Sequence, residues 1–290
     1  MAKTIITAAL TGAVTPAGYE IPTTPEQIAE DAYNCWKAGA AIVHLHMRGE
    51  DGFGSMDRDR FYQTVRLIRS HKDCDVIINC TSSGASPQHP ATDEDRMLHH
   101  LTVPGIEMGS YDAGTFNWMP VLVFMNSPEF LTKLGTVYKE KGIKPEFEIF
   151  DSGMLDIVDY YKKKNLLPDG PNHYQFCLGV LGGMQATVEN LLYLKNHIPE
   201  NATWSAFGVG KAHLPIMYAT LALGGHLRVG MEDNVVYQKG IPATNVSLVE
   251  RAVRVVKEFG NEVATHAEAR KMLSIPELDA VSVRHVLGIE

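Results

Sequence analysis

The sequence lacks three features that would place it in common functional classes. Its four cysteines, Cys35, Cys74, Cys80 and Cys177, form no C-x-x-C pair, so neither a disulfide framework nor a cysteine-rich metal site is expected. No stretch approaches about 18 uninterrupted apolar residues, which argues against a membrane-spanning helix. The net charge of -8 comes without a cluster of lysines and arginines, so a surface that would neutralise nucleic-acid phosphates is not evident.

Targeting and cofactor motifs are also missing. The N-terminal residues MAKTIITAAL contain no apolar core followed by a cleavage site, so we expect a cytoplasmic protein rather than a secreted one. No G-x-G-x-x-G motif follows the first strand-like run, which argues against a dinucleotide-binding fold. The absence of biased tracts predicts a chain that folds throughout.

Strand-like runs alternate eight times with amphipathic helical segments. The predicted strands are residues 4–10, 40–48, 75–81, 105–110, 144–150, 173–178, 202–207 and 225–231. Eight near-equal units of roughly 30 residues favour a closed barrel over an open, doubly wound parallel sheet. We therefore predict an α/β fold in which residues 1–290 form a single (β/α)₈ TIM-barrel domain. A short C-terminal helical extension is expected after Gly260, near residues 267–273.

The second predicted strand, AAIVHLHMR at residues 40–48, carries a candidate metal site. With a period of two, His44 and His46 lie on the same side of the strand. In the eighth strand, Arg228 and Glu232 share a face, and closure of the barrel brings this strand close to the second. Two imidazoles and a carboxylate suit zinc or non-haem Fe(II) with open positions for substrate. The alternatives are histidines that only form hydrogen bonds and a structural ion-pair network that includes Asp233.

Other strand ends offer polar groups to the same face. The loop Thr81-Ser82-Ser83-Gly84 provides hydroxyl and backbone N–H groups for a substrate carboxylate, or it merely turns the chain. Glu146 and Glu148 share one face of the fifth strand. The pair Gly182-Gly183 favours a simple turn.

Six motifs together resemble the β-keto acid cleavage enzymes. They are TAALTGA, TPEQIAEDAYNCWKAGAAIVHLHMR, KPEFEIFDSGM, QFCLGVLGGM, ATWSAFGVGK and GGHLRVGMEDN, and the similarity runs from about residue 7 to residue 273. The resemblance implies a zinc-dependent (β/α)₈ barrel that converts a β-keto acid and acetyl-CoA to acetoacetate and a new acyl-CoA. It also implies a homo-oligomer, expected to be a tetramer. Nucleic acid and membrane are not expected partners.

The resemblance also assigns roles to individual residues. The metal ligands of the family fall on His44, His46 and Glu232, and its proton-abstracting dyad falls on Arg228 and Asp233. We expect Asp233 to act as the base and Arg228 to hold it ionised, because a nearby cation lowers a carboxyl pKa.

Substrate contacts of the family fall on Thr81, Ser110 and Glu148. Ser110 fits the strand periodicity poorly, since it shares parity with Met108 rather than with Glu107, and a twist or bulge would be needed to re-aim it.

One position departs from the family pattern. Where the family member from lysine fermentation reads TGAE after the first strand, this chain reads TGAV, so Val14 replaces a carboxylate. A buried ammonium without its partner is costly, so we predict a β-keto acid with a neutral or apolar tail. The alternatives are another divalent-metal C–C lyase, aldolase or hydrolase, and a barrel that binds a metal and a small acid without turnover.

Overall fold

Eight parallel strands form a closed barrel in this computed structural model, which describes residues 1–14, 16–83, 86–120 and 122–289. In chain order, β1 to β8 are Ile6–Ala9, Ile42–Leu45, Ile77–Cys80, Met108–Asp112, Lys144–Ile149, His173–Leu178, Thr203–Gly208 and His226–Val229. Each strand pairs with its neighbour in sequence, and β8 pairs with β1 to close the ring. The predicted (β/α)₈ barrel is confirmed.

A helix follows each strand on the outside of the barrel. In chain order, α1 to α8 are Pro25–Ala38, Arg58–Ser70, Asp95–Thr102, Pro128–Lys141, Gly153–Lys163, Val188–Asn196, His213–Ala222 and Asn245–Glu258. The start of α1 illustrates how the sequence fixes these positions. Thr24 and Gln27 form a reciprocal capping box there, Pro25 occupies the first turn, and Gly39 ends the helix with a positive φ of 121°. Among the described residues, no helix has both the length and the apolar character needed to cross a bilayer.

The predicted C-terminal extension consists of two helices, α9 at His266–Leu273 and α10 at Ala280–Val286, of which only α9 was anticipated. Before α9, Glu262–Val263 pairs with Lys3–Thr4 in a two-stranded parallel sheet. Arg270 of α9 then reaches the base of the barrel and binds the carboxylate of Glu107, with Nε 2.6 Å from Oε2. The extension is therefore anchored at the end of the barrel where the strands begin.

Short hairpins cover the opposite end, where the strands finish. They pair Met47–Arg48 with Gly54–Ser55, Phe116–Trp118 with Leu122–Phe124, and Val236–Gln238 with Ile241–Pro242. The second of these lies between the fourth and fifth predicted strands, where the sequence predicts no strand. It supplies aromatic side chains to the mouth of the barrel.

The barrel interior changes from apolar to polar along its axis. Ile5, Ile42, Ile77 and Met108 pack together near the base. Above them, the same inward parity carries polar residues, which include His44, Asn79, Ser110, Glu146, Gln175 and Arg228. Most barrels of this fold fill these layers with aliphatic side chains. The buried polar layers place the candidate site directly above an apolar base.

The fourth strand corrects one sequence-based expectation. It runs from Met108 to Asp112 rather than ending at Ser110, and Ser110 lies opposite Glu146, which faces inward. Met108 is the inward residue, whereas Glu107 binds two arginines at the base. Ser110 therefore faces the interior through ordinary strand alternation, and no bulge is required.

Candidate active site

His44, His46 and Glu232 meet at the mouth of the barrel. His44 ends β2 on the inward side, His46 follows two residues later, and Glu232 lies just beyond β8. The Nε2 atoms of His44 and His46 lie 3.7 Å and 3.4 Å from Oε1 of Glu232. These three side chains are a group whose ligand atoms all lie within 4.8 Å of one another.

The arrangement fits a bound divalent metal on three counts. Zinc bonds of roughly 2.0–2.1 Å place tetrahedral ligand atoms about 3.3–3.4 Å apart, close to the separations found here. Oε2 of Glu232 is buried and has no hydrogen-bond partner among the described residues. Five carboxyl groups, those of Asp112, Glu146, Glu148, Glu232 and Asp233, cluster with the guanidinium of Arg228, so the cluster can accommodate a further cation.

Arg228 organises these carboxylates. Its Nε and Nη2 atoms donate to the two carboxylate oxygens of Asp233 at 3.0 Å and 3.2 Å. Nη1 donates to Glu148 at 2.9 Å, and Nη2 also donates to Glu232 at 2.6 Å. The guanidinium lies over the ring of Phe207, with Cζ 4.7 Å from the ring centroid. One buried arginine therefore orients a proposed metal ligand and the proposed base together.

The pKa values of this cluster follow from burial and charge. Burial alone would lower the pKa of Arg228, but the carboxylates of Asp233, Glu232 and Glu148 outweigh it and raise that pKa. For Glu232, burial acts to raise the pKa, yet His46, Arg228 and His44 together hold it well below the usual value. Glu232 is therefore ionised, as a metal ligand must be.

Asp233 differs from the sequence-based expectation. Burial raises its pKa to about 7, and the opposing attraction of Arg228 does not restore a normal value. The nearby carboxylate of Glu232 adds to the increase. Arg228 therefore orients Asp233 without holding its pKa low, and a carboxyl group with a pKa near neutrality is well matched to general base catalysis.

In the loop after β3, some of the predicted substrate-binding residues line the cavity and others support the loop from behind. Thr81 and Ser83 line the cavity, and the Thr81 hydroxyl accepts a hydrogen bond from the Ser83 N–H at 3.0 Å. Ser82 instead binds Ser110: its hydroxyl donates to the Ser110 carbonyl at 2.7 Å, and its N–H donates to the Ser110 hydroxyl at 3.0 Å. Both serines are fully buried behind the cavity wall. Gly84 lies outside the described residues.

A cavity of about 390 Å³ opens above the candidate metal site. Its floor is polar and its walls are mostly apolar, with contributions from Val14, Trp118, Phe124, Phe150, Val180, Leu181, Phe207 and Val209. Val14 is 50% exposed and stands at the rim. A second cavity of similar size shares Val14, Ser83, Trp118 and Phe124 with the first, so the two spaces meet at the mouth.

The loop that carries Val14 is held by Arg48, in the hairpin that follows β2. Arg48, at the end of the AAIVHLHMR motif, is buried and donates Nη2 to the carbonyls of Thr11 at 2.6 Å and Val14 at 2.9 Å. Gly12 has a φ of 66°, and a Cβ at this position would lie 2.6 Å from Cγ of Glu232. Close packing of this loop therefore fixes both the rim and one proposed metal ligand.

The Gly182-Gly183 pair serves the turn that the sequence favours. At Gly182, φ is 107° and an added Cβ would overlap the carbonyl oxygen of Asn117. The neighbouring Leu181 carbonyl accepts a hydrogen bond from the Met119 N–H at 3.0 Å. These contacts fasten the loop after β6 to the aromatic hairpin at the mouth.

Sequence reasoning missed Asp112. This residue is buried, lines the cavity and hydrogen-bonds to Glu148, and burial followed by the Glu148 charge raises its pKa well above normal. Continuing the fourth strand by two residues would have placed it inward beside Glu148. A second possible metal group, His44 with Glu146 and Glu148, was also not anticipated. It is the weaker candidate because it offers one imidazole instead of two and because Asn79 already donates to Glu146.

Fold and site together define a class of protein. The chain is a (β/α)₈-barrel enzyme whose strand ends combine a candidate metal centre with a buried acid–base cluster beneath a small cavity.

Comparison with known proteins identifies the family. The model of the beta-keto acid cleavage enzymes matches residues 3–275, and the chain belongs to this family. It is 41% identical over 278 residues to the 3-keto-5-aminohexanoate cleavage enzyme of Fusobacterium nucleatum subsp. nucleatum, covering 95% of this chain and 99% of that one. It is 32% identical to the 3-dehydrocarnitine:acetyl-CoA trimethylamine transferase of Rhizobium meliloti, covering 94% and 97% of the two chains.

A solved structure supports the fold assignment. The apo structure of ObcA superposes with a TM-score of 0.75 at 20% sequence identity, covering 88% of this chain and 65% of that chain. At this level of identity the similarity concerns the barrel alone.

Proposed function

We propose that this enzyme exchanges acyl groups between a β-keto acid and acetyl-CoA, releasing acetoacetate and a new acyl-CoA. The observation that carries the proposal is the placement of His44, His46, Glu232, Arg228 and Asp233 around one cavity. The family supports the cleavage of a β-keto acid, and the name of the Rhizobium meliloti relative supports acetyl-CoA as the second substrate.

The metal that best suits these ligands is zinc. His44, His46 and Glu232 would hold one ion per chain, and Fe²⁺ is the alternative with the same donor set. When bound, the metal supplies a Lewis acid that polarises the keto group of the substrate.

The protein's own residues perform the proton transfers. Asp233 removes a proton from the carbon between the keto group and the carboxylate of the β-keto acid. Two hydrogen bonds from Arg228 and the packing of Arg228 on Phe207 keep the Asp233 carboxylate from rotating away. The hydroxyls of Thr81 and Ser83 line the same cavity and are placed to bind the substrate carboxylate, while Ser82 and Ser110 brace that loop.

The bond changes balance without an added oxidant or reductant. The deprotonated carbon attacks the acetyl carbonyl carbon, and the CoA thiolate leaves. The thiolate then attacks the original keto carbon, and the bond between that carbon and the deprotonated carbon breaks. The products are the acyl-CoA of the tail and acetoacetate, which takes the proton back from Asp233.

We further propose that the substrate tail is neutral or apolar. Val14 contributes an isopropyl group to the rim, beside Trp118 and Phe124. An ammonium placed against these groups would lose hydration without gaining a partner there. Glu148, bound to Arg228 at 2.9 Å, and Asp112 remain at the cavity floor and are available to a hydroxyl on the tail.

A substrate panel tests both proposals. β-Keto acids with apolar, hydroxylated, amino and carboxylate tails are each mixed with acetyl-CoA, and acyl-CoA formation is followed by mass spectrometry. We expect the wild-type enzyme to show the highest kcat/KM with an apolar or neutral tail. In Val14→Glu, the substrate preference should shift toward the β-keto acid with an amino tail, whereas the uncharged control Val14→Gln should not show this shift. No acyl-CoA with any member would refute the proposed reaction, and a wild-type preference for the amino member would refute the role of Val14.

We propose a homo-oligomer, expected to be a tetramer, that works in the cytoplasm. Light scattering at micromolar concentration is expected to give about four times the chain mass of 32.0 kDa, and a mass of one chain would exclude the assembly.

A further inference from the structure

A separate cavity of about 450 Å³ lies outside β7 and β8, on the same end of the barrel as the metal centre. The segment after β7 and the segment after β8 form most of its walls, and α8 contributes Arg251. These segments continue directly from the active site. Val209 and Asp233 line the cavity above the metal centre, whereas their chain neighbours Gly210 and Asn234 line this one. The two cavities therefore lie on either side of the same stretches of backbone.

This cavity is lined by basic residues, whereas the neighbouring site contains a cluster of acidic residues. Lys211, Lys239 and Arg251 line it, and none of its lining residues is acidic. Across the described ranges, none of these three cations forms an ion pair with a carboxylate. Three cations without acidic partners around one concave space favour an anionic ligand.

Two residues that line the cavity, Arg251 and His213, are buried. Arg251 is 9% exposed, stacks on the ring of Tyr237 with Cζ 3.4 Å from the centroid, and donates to the Tyr237 carbonyl at 2.7 Å. His213 is buried at the cavity wall, and its Nε2 has no hydrogen-bond partner among the described residues. His213 also begins the ten-residue helix α7, whose N-cap residue, Ala212, has no side chain that can cap it.

We propose that this cavity binds the phosphate groups of the CoA thioester. The inference rests on the proposed use of acetyl-CoA and adds the site that holds its charged end. Phosphates would be repelled by the carboxylates of the metal centre, whereas a cleft with two lysines and an anchored arginine attracts them. Loops after the seventh and eighth strands are also where barrels of this fold commonly bind phosphate. The shared backbone segments let the thioester end enter the neighbouring cavity.

The test compares two thioesters in one variant. Acetyl-CoA carries the phosphates, whereas acetyl-pantetheine has the same reactive end without them. In Lys211→Glu/Lys239→Glu, we expect the KM for acetyl-CoA to rise by about tenfold or more, as loss of charge-assisted hydrogen bonds predicts. The KM for acetyl-pantetheine should stay within about twofold of wild type. Lys271→Glu is the matched control, since this exposed lysine lies on α9 at the opposite end of the barrel.

Calorimetric binding separates this site from the proposed reaction. Wild-type protein is titrated with CoA, adenosine 3′,5′-bisphosphate and inorganic phosphate, and the first two should bind more tightly than phosphate and lose affinity in the double variant. If the wild type failed to convert any β-keto acid, the proposed reaction would be refuted. The calorimetric titrations would still test whether the cavity binds CoA. Unchanged CoA affinity in the variant, equal losses with both thioesters, or CoA binding no tighter than inorganic phosphate would each overturn the proposal.

Discussion

At the scale of single residues, Asp233 has the position expected of a general base. It lines the cavity, and two hydrogen bonds from Arg228 fix its carboxylate. We expect Asp233→Asn to lower kcat by roughly 100-fold or more, because general base catalysis contributes about 10²–10⁴-fold. The amide keeps the shape, its oxygen can still accept one of the two Arg228 hydrogen bonds, and Glu148 and Glu232 still neutralise the guanidinium, so metal content and melting temperature should change little. A kcat close to that of wild type would place the base elsewhere.

His46 tests the metal site in isolation from the acid–base pair. Its Nε2 faces Glu232 at 3.4 Å, and among the described residues no other role for it is evident. We expect His46→Ala to weaken metal binding by about 100-fold or more, since losing a ligand costs at least as much as losing one of its supporting contacts. Metal analysis after gel filtration measures the occupancy, with the exposed His285→Ala as control. Equal metal content in the two variants would remove His46 from the site.

Strand alternation in the sequence predicts some of the site residues, whereas other features of the site depend on the folded structure. His44, His46 and Glu232 could be found because strand alternation and barrel closure suffice to bring them together. Asp112 was missed because the predicted fourth strand stops at Ser110, two residues short of its end in the structure. The pKa of Asp233 was also inaccessible, since it depends on burial and on neighbouring carboxylates that only the folded structure gathers.

At the scale of secondary-structure elements, buried ion pairs join the extension to the barrel. Glu107 accepts from Arg69 of α2 at 2.9 Å and from Arg270 of α9 at 2.6 Å, and all three side chains are buried. Arg69 also donates to the carbonyls of Val76 and Gly105. One carboxylate therefore ties two helices to the approach to β4.

Removing that carboxylate charge is expected to be costly. Glu107→Gln leaves two buried guanidinium groups without a counter-charge, and breaking a buried pair in this way costs about 3–5 kcal/mol. Chemical unfolding should therefore give a clearly lower midpoint than wild type. Glu277→Gln, at an exposed position in the same C-terminal extension, is the control and should unfold like wild type. Equal midpoints for both variants would mean that the ion pairs do not anchor the extension.

Element boundaries show where sequence patterns succeed and where they fail. A helix with a clear cap and stop, such as α1 with Thr24 and Gly39, has both of its ends marked in the sequence. The hairpin Phe116–Trp118 with Leu122–Phe124 was missed because its strands are only three residues long and show no alternation. The helix α10 was missed for a similar reason, since it is short and has no buried residue.

At the scale of the whole molecule, we propose that residues 1–290 form one domain. The C-terminal extension supports this, because it pairs with the first residues of the chain and binds Glu107 at the base of the barrel. The molecule also separates its charges. The acidic cluster lies in the barrel mouth, and the basic cavity lies beside it over β7 and β8. This separation suits a substrate pair in which one partner is a phosphorylated thioester.

Stability of the whole molecule should fall in mild acid because several histidines are buried in neutral form. Burial lowers the pKa of His226 to about 4 and that of His99 to about 3, both from 6.5. Below pH 6.5 the unfolded chain takes up protons on these histidines that the folded chain cannot. The free energy of unfolding is therefore highest above that pH and decreases as the pH falls toward 4. Each such histidine lowers the free energy of unfolding by roughly 2 kcal/mol between pH 6.5 and 5.

His226 offers a clean test of this acid sensitivity. Its Nδ1 accepts a hydrogen bond from the Ile5 N–H at 3.3 Å, so a proton on Nδ1 would break that contact at the base of the barrel. In His226→Asn, the amide oxygen can still accept the same N–H but cannot titrate. We therefore expect the melting temperature of the variant to fall less between pH 6.5 and 5 than that of wild type, even if it is lower at pH 7. The exposed His285→Gln should keep the wild-type slope, and identical slopes in all three proteins would show that His226 does not contribute to the acid response.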